Sequence, residues 1–169
     1  MRTLNNGDTF MHHGRQFQVH FKPDCDAGPP WKESDGHGVV SEWTTRGKRP
    51  GERVLAAGRI GQCYYDVEAS MHLAIANGWG VRNPPPDATR GQIAALAVEQ
   101  DFEHLRRWCA DAWYYVGVIV TDLASGDSDS LWCVADDGDY AAEVAFDLAA
   151  NLHPLADAHE AAALEMGTD

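Results

Sequence analysis

The chain has 169 residues and a formal net charge of −13 at pH 7, and 44% of its residues are hydrophobic, including 6 Trp, 5 Tyr and 5 Phe. This length predicts a single domain, and the apolar and aromatic content excludes an intrinsically disordered chain despite the charge. The charge also disfavours binding to nucleic acid or anionic lipid, because both are negative, and favours a partner with a basic surface.

Neither a signal peptide nor a membrane span is indicated by the sequence. Residues 1–8 lack the apolar run of a signal peptide, and no apolar segment approaches the ~20 residues needed to cross a bilayer. We therefore expect a soluble cytoplasmic protein that does not bind membranes. Cys25, Cys63, Cys109 and Cys133 are dispersed without a CxxC pair, which favours reduced thiols over a zinc ribbon.

The first predicted element is a β-hairpin. Phe17, Val19 and Phe21 alternate with polar residues, which is the period of a half-buried strand, and Gly14 marks the turn before them. Residues 22–53 are rich in Pro and Gly and are predicted to form a long ordered loop. Loops of that length inside compact domains are usually functional.

The middle of the chain predicts two short strands and a helix. Residues 52–56 and 62–65 flank a turn at Gly58–Gly61, and Asp66 follows as a helix N-cap. This helix is expected to end at Asn77-Gly78, because glycine adopts the left-handed conformation that closes many helices.

The longest helix is predicted to begin at Thr89, which has the spacing of a capping box with Gln92. Its apolar face comprises Ala94, Val98, Phe102, Leu105 and Cys109. We expect this face to pack on a central strand predicted over 114–123, which is rich in β-branched residues. The strand residues expected to meet the helix are Val116, Val118 and Val120.

The remaining elements complete an α+β domain covering residues 1–169. A strand over 130–135 returns beside the central strand, and Asp139 is expected to cap a last helix. The acidic tail over 155–169 is expected either to add a weak helix or to fray. Together the elements predict a mainly antiparallel sheet with about three helices packed on one face.

The negative charge is concentrated in the last third of the chain. No Lys or Arg follows Arg107, and residues 111–169 carry 13 of the 26 acidic residues. Asp139, Glu143 and Asp147 recur every fourth residue, so they form a stripe along the predicted helix with steps of ~6 Å. We predict that the acidic residues of this region gather at one end of the sheet as a partner-binding surface. That surface consists of Asp122, Asp127, Asp129, Asp136, Asp137, Asp139, Glu143 and Asp147.

Two interpretations of the stripe stay open. A solvated acidic face would explain it without a function, since Asp139 suits an N-cap and Glu143 lies near the positive end of the helix. A docking face would explain why no Lys is interspersed, although like charges four residues apart cost ~0.2–0.5 kcal/mol per pair. Such a face would act as a mimic of nucleic acid on a basic protein surface.

A second candidate site lies in the loop over 22–53. Cys25, Asp26, Asp35 and His37 can all ligate a metal, but only Cys25 and His37 are good zinc ligands, whereas a closed zinc site takes four. Asp35 and His37 are also a candidate acid–base pair, but no nucleophile motif accompanies them. We therefore predict no metal, no cofactor and no catalytic residue.

The same loop carries a resemblance to other proteins. Pro30-Trp31 and the run DGHGVVSEWT at 35–44 resemble a stretch of uncharacterised small proteins of tailed phages and prophages, over about a quarter of the chain. The resemblance implies a phage accessory protein that acts in a bacterial cytoplasm, and it implies no particular activity.

These observations favour an acidic phage inhibitor of a host defence complex. Its carboxylates would occupy the basic, nucleic-acid-binding groove of a host protein or ribonucleoprotein, as an anti-CRISPR or anti-restriction protein, without binding nucleic acid itself. One alternative is an enzyme, a hydrolase or a metal-dependent one, that uses Asp35 and His37. Another is a plain phage adaptor protein.

Overall fold

A computed structural model describes residues 3–152 of the chain. The chain divides into two compact units. We call Gly28–Ala112 the central unit, and we call Met1–Ala27 together with Trp113–Asp169 the split unit. Each unit has its own antiparallel sheet and its own helix or helices, so the α+β class with a mainly antiparallel sheet is confirmed.

The described residues form seven strands and four helices in the following order. They are β1 (Thr9–His12), β2 (Arg15–Pro23), α1 (Pro30–Glu33), β3 (Val39–Thr44), β4 (Glu52–Gly58), β5 (Gly61–Asp66), α2 (Val67–Asn77), α3 (Arg90–Cys109), β6 (Tyr115–Asp122), β7 (Ser128–Ala135) and α4, which covers 140–152.

The split unit contains a four-stranded sheet in the order β1-β2-β6-β7. The predicted hairpin is confirmed, because β1 pairs with β2 around Gly14, whose φ is 81°. The predicted central strand is β6, which pairs with β2 on one side and β7 on the other. Alternate side chains of β2 and β6 form a buried cluster with α4, to which α4 contributes Val144, Leu148 and Leu152.

The central unit contains a three-stranded sheet in the order β3-β5-β4, with α2 and α3. The predicted caps are confirmed. Asp66 accepts a hydrogen bond from the Ala69 amide, Gly78 has φ of 66°, and Thr89 and Gln92 form a capping box. These contacts are local in sequence, which is why the sequence predicted them.

The apolar face of α3 is buried, but the prediction that it packs on the strand with Val116, Val118 and Val120 is wrong. Phe102 is 4% exposed and packs in a cluster with Leu55, Cys63 and Tyr65 of the central unit. Val116, Val118 and Val120 belong instead to the cluster formed with α4. Both sheets offer apolar strands of similar composition, so hydrophobicity alone did not determine which sheet the helix covers.

The segment 22–53 is more regular than the sequence predicted. It includes α1, with Pro30 at its first turn where a missing N–H costs nothing, and β3, which pairs with β5. Arg46 then pairs with the buried Glu52, which ties the connection between β3 and β4 to the sheet. The predicted acidic tail over 155–169 lies outside the described residues.

Candidate functional site

The acidic stripe lies on the outer side of α4. The buried residues of α4 are Ala141, Ala142, Val144, Ala145, Leu148, Ala149 and Leu152. On a helix of 3.6 residues per turn, Asp139, Glu143 and Asp147 fall on the opposite side. Asp139 and Asp147 are exposed and Glu143 is half-buried. The Glu143 amide donates to the Asp139 carbonyl at 2.9 Å, so α4 begins directly after Asp139.

The other acidic residues fall into two groups at opposite ends of β7. Asp127 and Asp129 lie at the turn where Thr121 pairs with Ser128, whereas Asp136 and Asp137 follow Ala135 at the far end. Eight residues of strand separate the ends by about 25 Å. The prediction that all these acids share one end of the sheet is therefore wrong, because a strand lies between them.

Helix α4 connects the two acidic groups. It starts beside Asp136, and the Phe146 ring lies 4.8 Å from the ring of Phe10. Phe10 pairs with Phe17, which in turn pairs with Asp122 near the turn between β6 and β7. The stripe therefore runs from the Asp136 end toward the turn, and the acids form an elongated surface rather than a cluster.

Asp122 does not belong to that surface. Its side chain is 0% exposed, and the Arg15 Nε donates to it at 2.7 Å. Burial raises the pKa of Asp122, but hydrogen bonds from the Ala124 amide and from Arg15 outweigh burial, and the net pKa lies below its usual value. Asp122 is thus a buried anion that closes the turn after β6, and we leave it out of the partner-binding surface. The acidic surface is hereafter Asp127, Asp129, Asp136, Asp137, Asp139, Glu143 and Asp147.

Positive charge is scarce around this surface. In the described part of the split unit the only Lys and Arg residues are Arg15 and Lys22, and Arg15 is already bound to Asp122. Over its whole sequence the split unit has 15 acidic and three basic residues, which gives a formal charge of −12. The central unit has 11 acidic and 10 basic residues, which gives a formal charge of −1. The negative field therefore originates in the split unit.

The second candidate site, in the central unit, is built differently from the prediction. His37 Nδ1 lies 2.6 Å from Asp101 Oδ1, so the partner of this histidine is Asp101 on α3. Asp35 is exposed. The other Asp101 oxygen accepts from the Gly38 amide at 2.8 Å and from the Tyr65 hydroxyl at 2.8 Å. Asp101 thus has three donors.

Close packing around Gly38 holds this arrangement together. A Cβ at Gly38 would overlap both the Tyr65 hydroxyl and Ser70 Oγ. Ser70 Oγ accepts from the Val39 amide at 2.9 Å, and burial raises the pKa of Tyr65, which keeps its hydroxyl a donor. The 36–39 segment is therefore fixed to α2 and α3 by part-buried hydrogen bonds.

The sequence contains an indication that the Asp101 side chain has a hydrogen-bond donor. Asp101 lies on the buried face of α3, three residues after Val98 and four before Leu105, and a carboxylate on such a face needs a donor. His37, 64 residues away, could not be paired with it by spacing. His104, the other part of this site that was missed, stacks parallel to the His37 ring, with 5.9 Å between centroids and 9° between planes.

In the His37–Asp101 pair, the Asp101 carboxylate can orient the imidazole ring of His37. Because Nδ1 donates to the carboxylate, Nε2 is the nitrogen that could accept a proton. Among residues 3–152, no group of three or more His, Cys, Asp or Glu side chains is arranged to hold a metal ion. The hydrogen bonds of Asp101 are sufficient to explain the conformation of the 36–39 segment, and no catalytic role is needed to account for them.

The four cysteines are free thiols. Cys25 and Cys133 are exposed, whereas Cys63 is buried and Cys109 is half-buried. Burial raises the pKa of Cys109 to about 11, so this thiol stays protonated at neutral pH and is a poor nucleophile.

No helix in the described range is both long enough and apolar enough to cross a membrane. Comparison of the chain with protein-family models, with curated proteins and with solved structures found no match.

Proposed function

We propose that the protein is a phage-encoded, non-enzymatic inhibitor whose acidic surface binds a basic, nucleic-acid-binding groove of a host defence complex. A CRISPR effector or a restriction enzyme is the class of target we favour. The observation that carries the proposal is the stripe of Asp139, Glu143 and Asp147 on the outer side of α4, in a unit with a formal charge of −12. The phage context rests on the resemblance of residues 35–44.

The chemistry of such a groove suits carboxylates. Lys and Arg side chains that bind phosphate form charge-assisted hydrogen bonds, and a carboxylate accepts the same bonds. Asp139, Glu143 and Asp147, in steps of ~6 Å along α4, would offer several acceptors to a row of basic side chains. The same charge would repel nucleic acid, so the protein would compete with nucleic acid for the groove and not bind it.

An enzyme remains the second candidate because of the His37–Asp101 pair. That pair would make His37 Nε2 a general base in the manner of an oriented histidine. We rank it second because the Asp101 carboxylate also holds the Gly38 amide and the Tyr65 hydroxyl, which is a structural role. If this candidate is correct, His37→Ala would abolish activity while the acidic surface stays intact.

The test compares three baits in a capture experiment from lysates of bacteria that carry defence systems. The first bait is the wild type. The second, called the stripe variant, carries Asp139→Asn, Glu143→Gln and Asp147→Asn, which removes three charges and retains side-chain shape. The third, called the control variant, removes three exposed charges from the central unit through Asp35→Asn, Glu68→Gln and Asp87→Asn.

We expect a host complex that the wild type and the control variant retain, that the stripe variant loses, and that added DNA or RNA displaces. Displacement by nucleic acid is expected because both ligands need the same basic residues. If the stripe variant captures the same complex as strongly as the wild type does, or if nucleic acid fails to displace it, the proposed function is wrong.

A further inference from the structure

A cavity in the split unit combines apolar walls with carboxylates. Its volume is about 500 Å³, and it lies between the end of β2, the residue before β6 and the segment that joins β7 to α4. Its apolar lining includes Phe21, Tyr114, Val116 and Ala142, and its acidic lining consists of Asp136 and Asp139. Both components are needed for the ligand that we infer.

The apolar part of the cavity is prepared to receive an aliphatic or planar group. Val116 is 2% exposed and forms part of the core, and Phe21 packs against the same core. Tyr114 is 52% exposed, although its backbone is fixed by a hydrogen bond from the Asp136 amide to its carbonyl at 2.9 Å. Tyr114 is therefore anchored beside the cavity through its backbone, and much of its side chain is uncovered.

The charged part of the cavity selects a cation. Asp136 and Asp139 are exposed, and within residues 3–152 no Lys or Arg lines the cavity. Two side-chain amides also line the cavity, where Asn6 Oδ1 accepts from the Phe21 amide and the Asn5 side chain donates to Asp8. The N-terminus of α4 contributes only about half a positive charge, so two carboxylates outweigh it.

We propose that this cavity receives an arginine side chain of the basic partner. The aliphatic stem would pack on Phe21, and the guanidinium would stack on Tyr114 while it donates to Asp136 and Asp139. An anion would be repelled, and a wholly apolar group would bury the carboxylates without donors, which is unfavourable. The proposal rests on the proposed function and adds the type of side chain that the partner supplies.

The experiment uses capped arginine as the probe, and it needs no identified partner. N-acetyl-L-arginine amide is titrated into the full chain and followed by ¹H–¹⁵N NMR, and N-acetyl-L-citrulline amide serves as the neutral isostere. Tyr114→Ala removes the aromatic wall without changing charge, and Asp136→Asn removes one carboxylate. Tyr140→Ala is the matched control, because Tyr140 is 51% exposed and does not line the cavity.

We expect saturable shifts of the amides around the cavity with capped arginine and binding at least about tenfold weaker with capped citrulline, which corresponds to ~1.4 kcal/mol. Tyr114→Ala and Asp136→Asn should each weaken arginine binding by a similar factor, and Tyr140→Ala should not. Free L-arginine has the same net charge as the capped form, because its ammonium and carboxylate groups offset each other, so it should bind no more tightly than the capped form.

The proposal is overturned by unsaturable shifts, by equal binding of citrulline, or by arginine binding that both cavity variants leave unchanged. Tighter binding of free arginine would overturn it in favour of a small-molecule site. Asp136→Asn keeps the test valid if the NMR spectrum shows that Tyr114→Ala is not folded. The stripe variant shares only Asp139 with the cavity, and the arginine titration needs no partner, so failure of arginine binding and failure of the capture experiment are separate results.

Discussion

The two units of the chain differ in how far basic residues balance the acidic ones. In the central unit acids and bases nearly balance, and acidic side chains meet arginines, as Glu52 does with Arg46 and Glu99 with Arg53. In the split unit acidic residues outnumber basic ones by 12, and Asp139 and Asp147 face solvent on α4. Basic residues nearly balance the acidic ones in the central unit, whereas the split unit, despite its buried Asp122–Arg15 pair, is left with excess negative charge.

The cost of this excess charge is small compared with the stability of a domain. Asp139 with Glu143 and Glu143 with Asp147 form two like-charge pairs four residues apart, at ~0.2–0.5 kcal/mol each. A domain of ordinary stability, about 5–15 kcal/mol, tolerates that repulsion. The stripe is therefore compatible with folding, and its expected benefit lies in binding. The predictions below separate these two uses of charge.

The largest effect is expected from the core of the central unit. Phe102→Ala should lower the free energy of unfolding by ~3–5 kcal/mol, because the ring is 4% exposed and packs on Tyr65 with 5.6 Å between centroids. Leu96→Ala, on the same helix but 40% exposed, should cost about 0.5 kcal/mol or less. Urea unfolding of both variants measures the difference, and equal costs would contradict the described burial of α3.

The second effect concerns the hydrogen-bonded segment at His37. Gly38→Ala should cost ~1–3 kcal/mol, because the new methyl group displaces Tyr65 and Ser70 and so disturbs the bonds to Asp101. Gly91→Ala, in α3 with open space around it, should instead stabilise by up to ~1 kcal/mol. Thermal unfolding distinguishes the opposite signs, and a neutral Gly38→Ala would show that the segment is loosely packed.

Local features of this fold were predictable from sequence, whereas pairings between distant segments were not. The capping box at Thr89 and the glycine after α2 depend on a few adjacent residues, and both predictions were confirmed. Which sheet α3 covers depends on contacts between strands of similar composition, and that prediction was wrong.

The candidate sites show the same limit. The spacing of Asp139, Glu143 and Asp147 predicted that they lie on one side of one helix, and the structure places them there. The prediction that the acidic residues before and after β7 share one end of the sheet was wrong, because the length of β7 separates them. Asp101 was missed as the partner of His37 because 64 residues separate them.

The third effect is a pH dependence that arises from an ion pair of the central unit. Hydrogen bonding from Arg46 lowers the pKa of Glu52 from 4.5 to about 2. The unfolded state binds more protons between these values, so this pair's stabilisation is complete above about pH 4.5 and is lost as the pH falls toward 2. Glu52→Gln should flatten the acid side of the stability curve. An unchanged slope between about pH 2 and pH 4.5 in urea unfolding would contradict the assignment.

The smallest effect on stability is expected from the stripe variant. The variant removes the two like-charge pairs, and Asp139→Asn keeps a residue type that caps helices well. The free energy of unfolding should therefore change by about 0.5 kcal/mol or less. Urea unfolding of the stripe and control variants under identical conditions measures this. A loss above about 1 kcal/mol in the stripe variant alone would mean that these carboxylates serve the fold, as those of the central unit do.

The central claim is tested most directly by the association rate of the protein with the host complex that it captures, measured at about 0.05 M and about 0.3 M salt. Electrostatic steering predicts a wild-type rate that falls steeply with salt, a slower and flatter rate for the stripe variant, and wild-type behaviour for the control variant. Identical rates and salt dependences for all three proteins would contradict docking through the acidic surface.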